Sequence, residues 1–309
     1  MLKRARAFSP AGVSSFFEIC DRTPDGKLIA DPERIGSRGG GFALNKGVST
    51  EVIVAEAEEK RVQVFINGEC CPEAETTKSV VESFLENVAE AYHVTVKHHV
   101  EVPIGAGFGS SAAGALGTAL ALSKVLGLNL TYNQLGRIAH VAEVRCQTGL
   151  GTVGPLLFGG CGLTIEPGAP GYAHLDRIPV SPDHRIIAGT FRPYPTKEML
   201  SSPEKREVIN EWGRKTLKKI LADPSLENFM GACKEFAVGT GFVTWRVQKL
   251  IELAEKAGAI GAAQNMLGEA VHALVTVDKM ESVHEAFKKL LPEEKIIIAN
   301  IDLQGARIG

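Results

Sequence analysis

Residues 102–120 read VPIGAGFGSSAAGALGTAL, the stretch whose residue types most clearly suit a chemical task. Gly105, Gly107 and Gly109 remove Cβ atoms where a backbone turns sharply and comes close to a ligand. A helix is expected to open directly behind them. The first amide N–H groups of a helix have no intrahelical partner, and the helix dipole adds partial positive charge, so such a start binds anions. Ser110 and Ser111 supply hydroxyls that can donate to phosphate or ligate Mg²⁺. Ala112, Ala113, Gly114, Ala115 and Gly117 let the helix lie close against its neighbours. The plain alternative is an ordinary tight strand–helix turn; the paired serines and the small-residue helix weigh against it. Two other phosphate loops are disfavoured. The chain has no GKS or GKT, which excludes a Walker A loop. The glycine spacing is GxGxG, and no Asp or Glu lies between Glu101 and Glu143, which speaks against a nicotinamide dehydrogenase.

Other segments hold candidate groups. Arg38, in GSRGGG at 36–41, offers a planar fork suited to a carboxylate, or it is a loop arginine in solvent. Glu143 sits at the border of the apolar stripe Leu135, Ile138, Ala139 and Ala142, where a solvated glutamate is the plain reading. In GAAQNMLG (261–268), Gln264 and Asn265 can hydrogen-bond a ligand, while Met266 and Leu267 read as core. Thr240, in EFAVGTGF, lines a pocket or simply turns the chain. His98 shares one strand face with Val94, Val96, Val100 and Val102 and reads as a core histidine.

These groups need elements to hold them. HVTVKHHVEV alternates as a strand and leads into the glycine loop. A helix follows over 111–126. Thr131 and Gln134 form a capping box for another helix reaching about Arg145. EVIVAEA (51–57) and RVQVFI (61–66) read as a hairpin, with Asn67-Gly68 as the next turn and a helix over 76–92. FGGCGLTIEP reads as a glycine-rich strand. PGAPGYAHLDRIPVSPD (167–183) reads as the boundary between halves. Beyond it, HRIIAGTF, VHALVTV and KIIIANIDL are strand-like, with helices between. The irregular alternation points to an α+β fold.

The chain has 309 residues, 44% of them hydrophobic and 23% charged, enough for a large core and two domains. Its net charge of −2 gives no nucleic-acid footprint. No apolar run spans a membrane, and the N-terminus lacks the apolar region of a signal peptide. None of the six cysteines forms a CxxC pair; they read as reduced thiols of a cytoplasmic protein. A small-molecule partner is therefore expected.

Pro103–Ala113, PIGAGFGSSAA, resembles the second motif of the GHMP kinases, close to PxxxGLGSSAA, with Phe108 for the usual Leu. Within that superfamily, RAFSPAGVSSFFEI (6–19), GSRGGGFALNKGV (36–48), AEVRCQTGLGTV (142–153) and GAAQNMLGEAVHALV (261–275) resemble the archaeal pantoate kinases. The resemblance implies a two-domain GHMP kinase fold: an N-terminal mixed α/β domain over 1–175 and a C-terminal ferredoxin-like α+β domain over 176–309. It implies ATP-dependent phosphorylation of pantoate to 4-phosphopantoate, towards coenzyme A, and a homodimer. By the motif match, Pro103, Gly105, Gly107, Gly109, Ser110, Ser111 and Ala112 hold ATP, and Ser111 and Glu143 ligate Mg²⁺. Ser37 and Arg38 face the substrate, as do Gln264 and Asn265, with Arg145 and Arg192 as weaker candidates for its carboxylate. Thr152 departs from the superfamily, many members of which carry an aspartate base at that place. The resemblance then implies catalysis without a protein base, with Thr152 orienting the substrate hydroxyl. Other GHMP kinases, of homoserine or an isoprenoid alcohol, and a non-catalytic GHMP-like binding protein are the alternatives.

Overall fold

The computed structural model describes residues 2–86, 88, 90–193, 202–266 and 268–309. Leu267, expected in the core, lies outside them. Two sheets organise the fold. The first is eight-stranded and begins with two long antiparallel strands, β1 (Lys3–Cys20) and β2 (Gly36–Glu56). β3 (Arg61–Ile66) and β4 (Glu69–Cys70) follow as a hairpin, then α1 (Glu75–Leu85) and β5 (Tyr92–Val100). The turn between β3 and β4 is Asn67-Gly68, with φ of 50° and 90°, as a tight hairpin with both central residues left-handed requires.

The hairpin expected between 51–57 and 61–66 does not form. β5 lies between those strands, antiparallel to β2 and parallel to β3. The α1 crossover returns the chain there, and it puts Val94 and Val96, both 0% exposed, in the sheet centre. Helix α1 ends at Leu85, short of the expected residue 92. There the Lys60 ammonium takes the carbonyls of Leu85 and Val88.

Helices α2 (Ser110–Leu126), α3 (Tyr132–Cys146) and α4 (Val153–Phe158) cover the first sheet. The capping box of Thr131 and Gln134 starts α3 as expected. β6 (Cys161–Glu166) pairs with β2, and β7 (His174–Ile178) pairs with β6. The expected division after residue 175 therefore falls inside a strand of the first sheet. The chain also returns to that sheet through β12 (Arg307–Ile308), which pairs with β1.

The second sheet has order β11-β8-β10-β9, from β8 (His184–Pro193), β9 (Gly261–Gln264), β10 (Gly268–Thr276) and β11 (Ile296–Asn300). Helices α5 (Pro203–Ala222), α6 (Leu226–Gly239) and α7 (Trp245–Lys256) connect β8 to β9, and α8 (Met280–Lys288) connects β10 to β11. Neighbouring strands in it are antiparallel. That order and connectivity are ferredoxin-like.

One core lies under α1–α3 and includes Val52, Val96, Leu116 and Leu120. A second joins the two halves of the molecule and includes Phe16, Phe42, Phe108 and Phe229. Helix α2 reaches this depth because its glycines make room. A Cβ on Gly117 would overlap the Thr50 hydroxyl, and one on Gly114 would touch His98. His98 is the expected core histidine: its Nδ1 meets Thr50 and its Nε2 meets Thr77, at 2.9 and 3.0 Å. Burial lowers its pKa to about 4. Among the described residues, no helix is long and apolar enough to cross a membrane.

Candidate functional site

The glycine loop joins β5 to α2, and its geometry requires its composition. Gly105, Gly107 and Gly109 have φ of 76°, 81° and 60°. At Gly107 a Cβ would also overlap the Met266 carbonyl oxygen. At Gly109, the N-cap of α2, it would stand 2.7 Å from Thr152 Cγ2. No side chain caps α2. The first intrahelical bond runs from the Ala113 amide to the Gly109 carbonyl. The amides of Ser110, Ser111 and Ala112 precede that bond, which makes an anion-binding turn. Pro103 stands two residues before Gly105, ahead of the sharp turns.

Ser111 and Glu143 come together. Ser111 Oγ donates to Glu143 Oε1 at 2.6 Å, although they are 32 residues apart. Thr148 Oγ1 donates to the same oxygen at 2.7 Å and also meets Thr76 Oγ1 at 3.0 Å. Glu143 is buried, which overturns its reading as a solvated surface glutamate. Loss of hydration raises its pKa, opposed by the hydrogen bonds from Ser111 and Thr148. Among the described residues its carboxylate partners are hydroxyls, with no lysine or arginine among them. A buried carboxylate and a hydroxyl, without a compensating cation, are donors that suit Mg²⁺. A Cβ on Gly149 would overlap Glu143 Oε2, so the TGLG sequence keeps space for the carboxylate. Thr76 and Thr148 were not singled out from the sequence. Thr148 lies inside a motif that was, whereas nothing in residue type or spacing marks Thr76.

Thr152 is the N-cap of α4 but makes no capping bond with its side chain. Its methyl group packs beside Gly109. Ser37 is close by: a Cβ on Gly151 would overlap its hydroxyl. The glycine loop, Ser37 and Thr152 thus border one another.

The other expected substrate residues are placed differently. Arg38 donates through Nη1 to Glu18 at 3.0 Å and through Nε to the Ile165 carbonyl at 3.0 Å. Glu18 also receives Arg214 at 3.1 Å. The Arg38 fork is therefore held by a protein carboxylate. Gln264 lies in β9, not in a loop, and donates to the Gly268 carbonyl at 3.0 Å, so it ties its own turn. Asn265 is buried and packs beside Gly107. Arg192 pairs with Glu269 at 3.0 Å, and Arg145 is exposed in the last turn of α3. The Thr240 hydroxyl turns back to the carbonyls of Phe236 and Ala237, closing its own helix.

Comparison with known proteins agrees with this geometry. The family described as GHMP kinases N terminal domain matches residues 75–160. The chain is 31% identical to a pantoate kinase of Methanocaldococcus jannaschii, across 95% of this chain and 99% of that protein. It is 31% identical to a pantoate kinase of Thermococcus kodakarensis, across 98% of each. A solved structure described as a phosphotransferase related to the CoA biosynthesis pathway superposes with a TM-score of 0.87. It is 31% identical, covering 100% of this chain and 99% of that one.

Proposed function

Because this chain belongs to the pantoate kinases, within the GHMP kinases, we propose that it phosphorylates pantoate to 4-phosphopantoate with ATP, a step in coenzyme A biosynthesis. The observation that carries the reading is the pairing of Ser111 with buried Glu143 at the open N-terminus of α2, beside three left-handed glycines. A cytoplasmic place of action goes with free small-molecule substrates.

In this reading the amides of Ser110, Ser111 and Ala112 hold the triphosphate of ATP, with the bare backbone of Gly105, Gly107 and Gly109 allowing close approach. Ser111 Oγ and the Glu143 carboxylate would hold Mg²⁺. When bound, the ion would screen the negative charge of the phosphate oxygens. Thr148 and Thr76 steady that pair by hydrogen bonds to Glu143 and to one another. Ser37 and Thr152 border the loop from the other side and orient the pantoate hydroxyl towards it. Phosphoryl transfer passes through a loose transition state and depends chiefly on positioning and charge stabilisation. The hydroxyl proton can then leave late, so Thr152 serves without acting as a base.

ADP release measured with Mg·ATP and, separately, pantoate, homoserine and mevalonate tests the reading. Turnover with pantoate is expected, and it should fall at least about 100-fold in Glu143→Ala. Appreciable rates with only homoserine or mevalonate would overturn the substrate assignment. A Thr152→Asp variant that gained several orders of magnitude in turnover would show that the natural enzyme lacks a base it needs.

A further inference from the structure

β1 breaks register where it passes the glycine loop. Ser14 pairs with Gly41 and Phe16 with Gly40, so Ser15 is the extra residue of a bulge. A bulge re-aims a side chain and is common next to active sites. Here it sends Ser15 out of the first sheet towards β10 of the second. Ser15 Oγ lies 2.8 Å from Nε2 of His272, and Nδ1 of the same ring lies 2.8 Å from Oδ1 of Asn265. An amide oxygen only accepts, so Nδ1 carries the proton, Nε2 accepts, and Ser15 donates. All three side chains are 0% exposed. Burial keeps His272 neutral, its pKa lowered to about 3, so this tautomer holds through neutral pH.

The far end of the line is the Asn265 Nδ2 group. It is a buried donor without a hydrogen-bond partner among the described residues. Leaving such a donor unpaired costs about 1–3 kcal/mol, so its retention calls for an acceptor. Asn265 stands behind the glycine loop: a Cβ on Gly107 would lie 3.4 Å from Asn265 Cβ and would overlap the Met266 carbonyl. The same bulge also holds this turn by its main chain, since the Met266 amide donates to the Ser14 carbonyl at 3.0 Å.

We propose that Ser15 and His272 are positioning residues for phosphoryl transfer. They fix the Asn265 carboxamide with its N–H directed to the glycine loop, where it donates to a phosphate oxygen of ATP. Access to that donor opens when the loop rearranges around the triphosphate. The proposal rests on the kinase reading for the identity of the nucleotide, and it does not depend on pantoate.

The test is the ATP dissociation constant, measured by calorimetry with Mg²⁺ and without pantoate, for wild type, Ser15→Ala, His272→Asn and His272→Gln. An asparagine amide stands near the Nδ1 position of a histidine, and a glutamine amide near Nε2. His272→Asn therefore keeps the donor to Asn265, whereas His272→Gln loses it. Ser15→Ala and His272→Gln should weaken ATP about tenfold, the loss of one hydrogen bond to a charged group. His272→Asn should stay within about twofold of wild type, because its amide donates to Asn265 without a ring tautomer for Ser15 to fix. A merely structural role would make the two histidine variants equivalent. Unchanged affinity in Ser15→Ala and His272→Gln, or equal loss in both histidine variants, overturns the proposal. Should the histidine variants not fold, Ser15→Ala decides alone: weakened ATP affinity supports the proposal and unchanged affinity overturns it. Wild type that binds ATP but leaves pantoate unphosphorylated sinks the substrate assignment and leaves this test intact. Wild type without affinity for ATP overturns both.

Discussion

At Glu143 a buried carboxylate meets the hydroxyls of Ser111 and Thr148 and the bare backbone of Gly149. Its pKa is raised, chiefly by loss of hydration. A raised carboxylate binds its proton more tightly folded than unfolded. Its stabilising contribution is thus present in acid and lost as pH rises through the folded value. Glu143→Gln removes that loss. In metal-free protein, the variant should melt above wild type at pH 8. The gap should close as pH falls. The same variant should lose at least about 100-fold in turnover. Calorimetry across pH and an ADP-release assay check both halves. Gly149→Ala should likewise reduce turnover, because its Cβ would displace the carboxylate. Ser111 and Glu143 were legible through their motifs. The burial of Glu143 was not, because the groups that cover it come from other elements. Arg38 shows the complementary limit. Its side chain suits a carboxylate, but its partner Glu18 is set by a strand register that two irregularities shift. Residue type carries no trace of such shifts.

At the level of elements, the start of α2 is the proposed anion-binding turn, and Gly109 sets its direction. That residue caps the helix at φ 60°, where an L side chain is strained, and a Cβ would stand 2.7 Å from Thr152. Ligand binding stabilises the native state by about 2.7 kcal/mol at 100 times Kd. Wild type should show that gain with ATP as a rise in melting temperature. Gly109→Ala should lose most of it, and thermal shift with and without ATP reads the difference. The strand–loop–helix passage and the α3 capping box were legible because their signals are local. The β2–β3 hairpin was misread because adjacency in sequence hides a crossover: α1 brings β5 in between. The Ser15 bulge left no pattern either, since a single inserted residue looks like any other Ser in SPAGVSSFF.

Over the whole molecule, one deeply buried neutral histidine sits in each sheet. His98 in β5 has a pKa lowered to about 4, and His272 in β10 one lowered to about 3. Unfolded histidine titrates near 6.5, so each contributes stability that is complete above that pH. The contribution is lost as pH falls towards 4 and 3. Melting temperature should be level above pH 7 and drop below about 6.5, as stability falls by up to ~1.4 kcal/mol per pH unit for each proton taken up. Scans from pH 4.5 to 8 in Glu143→Gln read this slope without the opposing carboxylate. A level profile down to pH 5 would count against both buried histidines. The α+β class and the helices and strands of the second half were legible as runs. The division between halves was not, because β7 and β12 both belong to the first sheet, and only the pairings reveal that.

β1 and β2 run on from one core into the other: Ala7 and Val48 pack in the first, Val13, Phe16 and Phe42 in the second. The two halves are therefore spliced by a continuous hydrogen-bonded ribbon rather than strung on a slack tether. Parting the two halves would have to bend this ribbon, so its paired backbone resists their separation.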